Sequence, residues 1–168
     1  ELEYNYLKNN YETAKGTVDL YIYFFEKGLD IINRKGKLSY ITPNRFLSAS
    51  YGKALREYLI FKYKIEKIID YSDKNVFPDA STYPVITFLS NNTSAPYEIK
   101  TGKFDEDSKT LITKNFPSSK LKILDDFILG FLLNDKLEIT EKVMSVSEPL
   151  SSCGKINATS TAKEADEM

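Results

Sequence analysis

The 168 residues predict an α/β fold with a mixed sheet followed by C-terminal helices. Three observations carry this. Segments with a 3.6-residue apolar period alternate with short β-branched runs from Thr17 to Tyr71. A connector without helical period, Ser72 to Tyr83, then leads into Val85-Ile86-Thr87-Phe88-Leu89. With Pro78 inside it, that link has no crossover helix, so the strands on either side are expected to run antiparallel. Finally, Leu124, Phe127, Ile128, Phe131 and Leu132 recur at helical spacing, and a last helical segment is expected over Lys136 to Met144.

Taken in order, Glu1 to Ala14 reads as a short helix or ordered lead-in. A helix is expected from Thr17 to Asn33, with Thr17 as N-cap, Asp19 at the positive end of the dipole and Gly36 as the stop. Val18, Tyr21, Ile22, Phe25, Leu29 and Ile32 form one apolar stripe, while Leu20, Phe24 and Ile31 fall nearly opposite. A helix apolar on two faces must be covered on both, by a sheet on one side and by another layer or a ligand on the other. The strand Leu38 to Thr42 ends at Pro43-Asn44, and a helix is expected from Phe46 to Phe61, weakened at Gly52 by about 1 kcal/mol.

Ile65 to Tyr71 is the next strand, in a parallel, right-handed βαβ unit with the first. Tyr97 to Thr101 reads as an added edge strand, and Asp105-Glu106-Asp107 as a solvated turn. In open α/β sheets ligands sit beyond the carboxyl ends of the strands, which puts Thr42, Pro43, Asn44 and Arg45 where a site would lie. An ordinary connection without ligand fits the same pattern.

Composition narrows the classes. The hydrophobic share of 42% and charged share of 28% are those of a globular domain with a substantial core. No apolar run approaches the roughly 18 residues of a membrane helix, so no membrane partner is expected. With no His in the chain, imidazole zinc sites and Ser-His or Cys-His nucleophile pairs are excluded, and no metal is expected. The lone Cys153 permits no internal disulfide and fits a reducing compartment, the cytoplasm. The chain opens at Glu1 without Met, as a piece of something larger would. Between Asn33 and Lys67 nine bases face two acids, an excess of seven. Such a run meets phosphates, or it is a solvated face whose acidic partners lie elsewhere in the fold.

The order KGTVDLYIYFFEKGLDII, GKLSYITPNRFL, NVFPDASTYPVITFL resembles the second half of an N6-adenine DNA methyltransferase. The likeness is to the family in which cofactor and catalytic motifs precede a C-terminal target-recognition domain, and which includes fused type II restriction-modification enzymes. It covers Gly16 to Ser90 well and the remainder loosely. It implies the C-terminal half of a Rossmann-like methyltransferase domain, with an antiparallel strand beside parallel ones. Residues 1–142 would belong to the catalytic domain and 143–168 to a linker and the start of target recognition. The implied cofactor is S-adenosylmethionine and the implied partner double-stranded DNA, from which the target adenine is flipped out.

The resemblance also assigns roles. The family's glycine-rich loop and its Asn-Pro-Pro-Tyr type tetrapeptide are both absent here, so no catalytic residue is expected in this chain and both motifs are expected upstream. Asp19-Leu20-Tyr21-Ile22-Tyr23-Phe24 matches the helix after that tetrapeptide, which implies cofactor contacts at Phe24, Leu20 and Asp19. The alternative is that Phe24 is a core residue and Asp19 a first-turn acid. Val76-Phe77-Pro78 matches the loop between the last two strands, where the aromatic lies against the extruded adenine. The alternative for Phe77 is a hydrophobic plug beneath an irregular loop. Arg45, Lys53 and Lys74 are the candidates for the DNA backbone, unless they are ordinary surface bases.

Overall fold

The apolar stripe at 3.6-residue spacing makes the segment from Leu20 to Ile31 a helix with one buried face, helix α2. Ile22, Phe25 and Leu29 are buried, each contributing about 1.5–3 kcal/mol relative to exposure. Leu20, Phe24 and Ile31 remain in solvent. This computed structural model describes residues 2–74, 76–78, 82–92, 96–105, 109–134, 137–148 and 150–154. The helix starts later than its sequence suggests. Asp19, not Thr17, is the N-cap, and its carbonyl accepts the Ile22 N–H at 3.1 Å while its side chain makes no capping bond. At the far end Ile32 is already extended, and Gly36 closes a separate turn onto the Asn33 carbonyl at 2.8 Å.

Helix α1 (Leu2–Asn10) precedes it, and Tyr11 meets Tyr23 edge-on at 5.3 Å. The turn between the two helices is held by a residue that its sequence neighbours disguise. Glu26 lies among apolar residues and is 4% exposed. Its carboxylate accepts the Glu12 N–H at 2.8 Å, the Thr13 N–H at 2.9 Å and the Thr13 hydroxyl at 2.6 Å. Three donors satisfy the buried charge, and so it can stay in the core stripe.

The sheet is formed by β1 (Lys37–Pro43), β2 (Lys64–Asp70), β3 (Pro84–Ser90), β4 (Glu98–Asp105) and β5 (Thr110–Pro117), in the order β1-β3-β2-β4-β5. Strand β3 is antiparallel to both neighbours, with Thr87 opposite Tyr40 on one side and Ile68 on the other. The turn after β2 explains the return direction, since the Tyr71 N–H bonds the Pro84 carbonyl at 3.0 Å. Strands β1 and β2 therefore run in the same direction, as expected, but with β3 between them. Strand β4 is parallel to β2 and carries β5 along its outer side. The segment near Tyr97 is thus longer than expected and is not the edge. The edge on that side is β5, in which only Phe116 is buried, and the opposite edge is β1. Strand β5 lacks the apolar alternation by which a half-buried strand is recognised.

Helix α2 lies on β1, where Phe25 meets Tyr40 edge-on at 5.5 Å. At Gly28 a Cβ would come within 2.5 Å of Tyr40 Oη, so only glycine allows this approach. Helix α3 (Lys53–Lys62) contributes Leu55, Tyr58 and Leu59 to the core, and Tyr58 donates to Asp30 of α2 at 2.9 Å.

Two helix assignments are corrected. The helix expected from Phe46 begins at Lys53, behind 3-10 turns at Asn44–Leu47 and Ser50–Gly52. Gly52 is not a weak point inside a helix but its N-cap, packed so closely on the Phe46 backbone that a Cβ would collide with the Phe46 carbonyl oxygen. The helix expected over Leu124 to Leu132 is instead a chain of short 3-10 turns at Ser118–Ile123, Asp125–Phe127 and Leu129–Leu133. It is broken where Asp126 and Phe127 take φ of 47° and 53°.

The described chain divides into two compact units, Glu1–Asn134 and Asp135–Met168. In the second, α4 (Leu137–Val146) exposes Ile139, Val143 and Val146 in one row. Residues 106–107, in the acidic run after β4, and residues 155–168, in the polar end, lie outside the described residues.

Among the described residues β1 pairs on one side only, with β3. An open strand edge associates with other chains. The chain by itself is expected to dimerise or aggregate as its concentration rises, with amide-exchange protection appearing in residues 37–43 rather than 110–117. Size-exclusion chromatography coupled to hydrogen exchange checks this. A monomer at high concentration whose β1 amides exchange freely would show that the edge does not associate.

Candidate functional site

Strands β1, β2 and β4 point the same way, so Pro43, Asp70 and Asp105 end at one edge of the sheet, where Pro84 and Thr110 begin. The chain leaving β1 and the chain leaving β2 are stapled there by Asn44. Its backbone N–H donates to the Tyr83 carbonyl at 2.8 Å and its side-chain amide donates to Ser72 Oγ at 2.9 Å. Of the residues expected at a carboxyl-edge site, Asn44 and Arg45 line a cavity of about 390 Å³ together with Ser48, Asp70, Gly130 and Leu133.

The loop after β2 has a rigid base. The Ser72 N–H donates to Asp70 Oδ1 at 2.8 Å and the Lys74 N–H to the Tyr71 carbonyl at 2.9 Å. Tyr71 stacks on Phe104 of β4, with ring centroids 6.0 Å apart and planes 13° from parallel. Lys103 sits 3.8 Å from Asp70 and 3.9 Å from Asp73. Lys74 lies 5.9 Å from the Phe104 ring centroid, within cation–π reach. On this base stands Phe77, 42% exposed, beside an exposed Val76.

On α2 the three residues matched to cofactor contacts, Asp19, Leu20 and Phe24, are all exposed. Phe24 is 62% exposed and Leu20 is 61% exposed, and they stand one helical turn apart. A core role for Phe24 is therefore not what this chain gives it. Tyr21, on the flank of the same helix, shares a 2.8 Å hydrogen bond with Tyr51 and meets Phe46 edge-on at 6.2 Å. Burial first, and the bond to Tyr51 next, push its phenol pKa well above the usual tyrosine range, so it is neutral at any physiological pH.

The basic run from Arg34 to Lys67 does not form one patch. Lys37 pairs with Glu66 at 2.9 Å, Lys62 with Glu12 at 2.5 Å, and Lys53 with Asp126. Lys64 and Lys67 lie over the rings of Tyr97 and Phe88 at 5.1 and 5.0 Å. Much of the charge has found partners elsewhere in the fold. Of the three candidates for DNA phosphates, Arg45 is exposed on the cavity, Lys74 is on the loop with Phe77, and Lys53 is held by Asp126.

One functional residue escaped sequence reasoning. Arg56 reads as a surface base in an amphipathic helix, yet it is 1% exposed. Its Nη1 donates to the carbonyls of Phe46 and Ala49, both at 2.7 Å, and its Nε and Nη2 to that of Asp126, at 3.3 and 3.1 Å. Burial pulls the guanidinium pKa below its ordinary value, and the charges of Asp126 and Glu57 draw it back up. The only hint in the sequence is its position beside Leu55 and Leu59 on the apolar face.

Residues 1–77 match the Eco57I restriction-modification methylase family. Similarity to individual proteins extends further along the chain. The type II restriction enzyme and methyltransferase RM.Eco57I of Escherichia coli is 30% identical over 161 residues, 92% of this chain and 16% of that protein. The type II methyltransferase M.BstVI of Geobacillus stearothermophilus is 30% identical over 139 residues, 82% of this chain and 22% of that protein. The type IIG restriction endonuclease BpuSI shares the fold, with a TM-score of 0.59 at 16% identity over 83% of this chain and 19% of that one. The chain thus spans about a fifth or less of these relatives, and the Eco57I-type stretch holds α2, β1, α3, β2 and the loop up to Phe77. Among the described residues, no helix is long and apolar enough to cross a membrane, and no three His, Cys, Asp or Glu side chains are grouped to hold a metal ion.

Proposed function

We propose that this chain is the C-terminal half of the catalytic domain of a DNA methyltransferase from a restriction-modification system. The whole protein would transfer a methyl group from S-adenosylmethionine to adenine N6 in double-stranded DNA. Residues 1–142 would complete the catalytic domain and 143–168 would lead into target recognition. The observation that carries the reading is the antiparallel β3 lodged between parallel β1 and β2, in an Eco57I-type sequence that leaves Phe24 and Phe77 in solvent.

Each exposed group has a task in this reading. Leu20 and Phe24, one turn apart on a rigid helix, form an apolar face that fits a flat heteroaromatic ring, with Asp19 at the helix start for a polar group. The cofactor, when bound, supplies the electrophilic methyl. Phe77 stacks on the adenine once it has left the duplex. Arg45 and Lys74 meet the backbone. Lys53 does so only by leaving Asp126. The residues that relieve N6 of its proton as the methyl arrives belong to an upstream Asn-Pro-Pro-Tyr tetrapeptide, so this chain alone transfers nothing.

The test is methyl transfer by the full-length protein into duplex DNA from a methyl-labelled donor, with the product nucleosides separated by mass spectrometry. N6-methyldeoxyadenosine is expected from the full-length protein and no label from this chain alone. Label in cytosine would overturn the adenine assignment. DNA binding without transfer would make the chain part of a non-catalytic α/β module.

A further inference from the structure

The cavity at the carboxyl edge has a construction that the proposed roles of Phe24 and Phe77 do not use. One wall is the turn from Asn44 to Ala49, and the other includes Gly130 and Leu133. Behind them both is Arg56, which holds the first wall through the carbonyls of Phe46 and Ala49 and ties in the second segment through that of Asp126. The walls are closest at Gly130, where a Cβ would collide with Ser48 Oγ. Glycine there leaves the Ser48 hydroxyl its place on the cavity, and the buried guanidinium ties the two walls to one point.

The polar groups that line the cavity are matched to an anion. Arg45 is exposed and has no acidic partner among the described residues. Ser48 brings a hydroxyl, and Asn44 spends only one of its amide hydrogens on Ser72. The one carboxylate present, Asp70, is occupied by the Ser72 N–H and lies 3.8 Å from Lys103, so it does not neutralise Arg45. A volume of about 390 Å³ takes a phosphodiester with an adjoining sugar. We propose that this cavity is a subsite for one DNA phosphodiester, bound by Arg45, Asn44 and Ser48, with Gly130 leaving the Ser48 hydroxyl its place and Arg56 tying the two walls together. The inference rests on the reading of the protein as DNA-binding, and it adds a defined phosphate contact to it.

The experiment uses the full-length protein and equilibrium binding to duplexes in which one phosphate at a time is replaced by a neutral methylphosphonate. The duplex is built around the target mapped in DNA from cells expressing the protein, or is of mixed sequence where no target is found. For the parent protein, one replacement should weaken binding about tenfold, the scale of a charge-assisted contact. In Arg45→Ala that same replacement should become silent, and the salt slope should fall by about one. Gly130→Ala should weaken binding with Arg45 intact, because the new methyl turns the Ser48 hydroxyl away from the cavity, and Ser48→Ala should lessen the effect of that same replacement, because its hydroxyl is one of the contacts. Arg45 is exposed, so its variant keeps the test decisive even where Gly130→Ala fails to fold. An unchanged replacement profile in Arg45→Ala overturns the subsite. Because binding is read apart from methyl transfer, a phosphate signature without transfer would sink the methyltransferase reading and leave the subsite standing. Transfer without the signature would do the reverse.

Discussion

Phe77→Ala in the full-length protein should reduce the population of extruded adenine about five- to a hundredfold. The range follows from the roughly 1–3 kcal/mol that one stacked aromatic contributes to holding a base. The start of the Phe77 loop is anchored by the Tyr71–Phe104 stack, by Lys103 near Asp70 and Asp73, and by Asn44 on Ser72. Cofactor affinity should hardly move, because Leu20 and Phe24 stand on a different element. A 2-aminopurine at the target position reports extrusion directly through its fluorescence. Since Phe77 is 42% exposed, truncation forfeits less burial than at a core phenylalanine, and the melting temperature should fall by less than for a core Phe→Ala change. A lower melting temperature with an unchanged fluorescence rise would show that Phe77 only plugs the loop.

Arg56→Met should destabilise the chain by about 3–6 kcal/mol. The substitution keeps the volume and the apolar stem but takes the guanidinium donors from the carbonyls of Phe46 and Asp126 and leaves that of Ala49 with the Gly52 N–H alone, at 3.1 Å. Each orphaned buried acceptor costs about 1–3 kcal/mol, and the total is comparable to the whole stability of an ordinary domain. At about 2–4 °C per kcal/mol for a chain of this length, the midpoint should fall by about 10–20 °C. Arg56→Lys should fall between the two, because an ammonium carries the charge but lacks the planar fork that reaches three carbonyls at once. Circular-dichroism melts measure the loss, and hydrogen exchange should place it first at residues 44–49 and 125–127. A Met variant that melts within about 2 °C of the parent would show that the three carbonyls find other donors.

The elements that were legible from the chain are those whose own residues determine them. Ile22, Phe25 and Leu29 recur at helical period and fold as a helix. The runs at Leu38, Ile65 and Val85 are β-branched and apolar and fold as strands. The absence of a helical period between Ser72 and Tyr83 was enough to make β2 and β3 antiparallel. The second apolar face of α2 was readable as a pattern, since Leu20, Phe24 and Ile31 fall opposite the buried stripe, but the cover expected over it is not supplied by the described residues, which leave all three exposed. The position of a carboxyl-edge cavity was visible to the same extent, as Asn44 and Arg45 line one on the edge that the strand pattern marks out, whereas Phe77 was marked only by the resemblance.

What only the tertiary structure decided is wherever distant segments compete with a local preference. The spacing from Leu124 to Leu132 favours a helix, yet the Asp126 carbonyl is claimed by Arg56, its side chain by Lys53, and its backbone takes a positive φ. The segment from Phe46 to Gly52 loses its helix in the same way, to the donors of Arg56 and to the close approach at Gly52. Glu26 and Arg56 look like surface charges because charge pattern along a chain says nothing about which backbone groups will converge on them. By itself the sequence of this protein determined that α2 is a helix, the spans of β1, β2 and β3 to within a residue, and the strand edge on which Asn44 and Arg45 stand. Burial of two charges, the order of β4 and β5 and the form of the cavity were decided by hydrogen bonds between residues up to 73 positions apart, which no local period encodes.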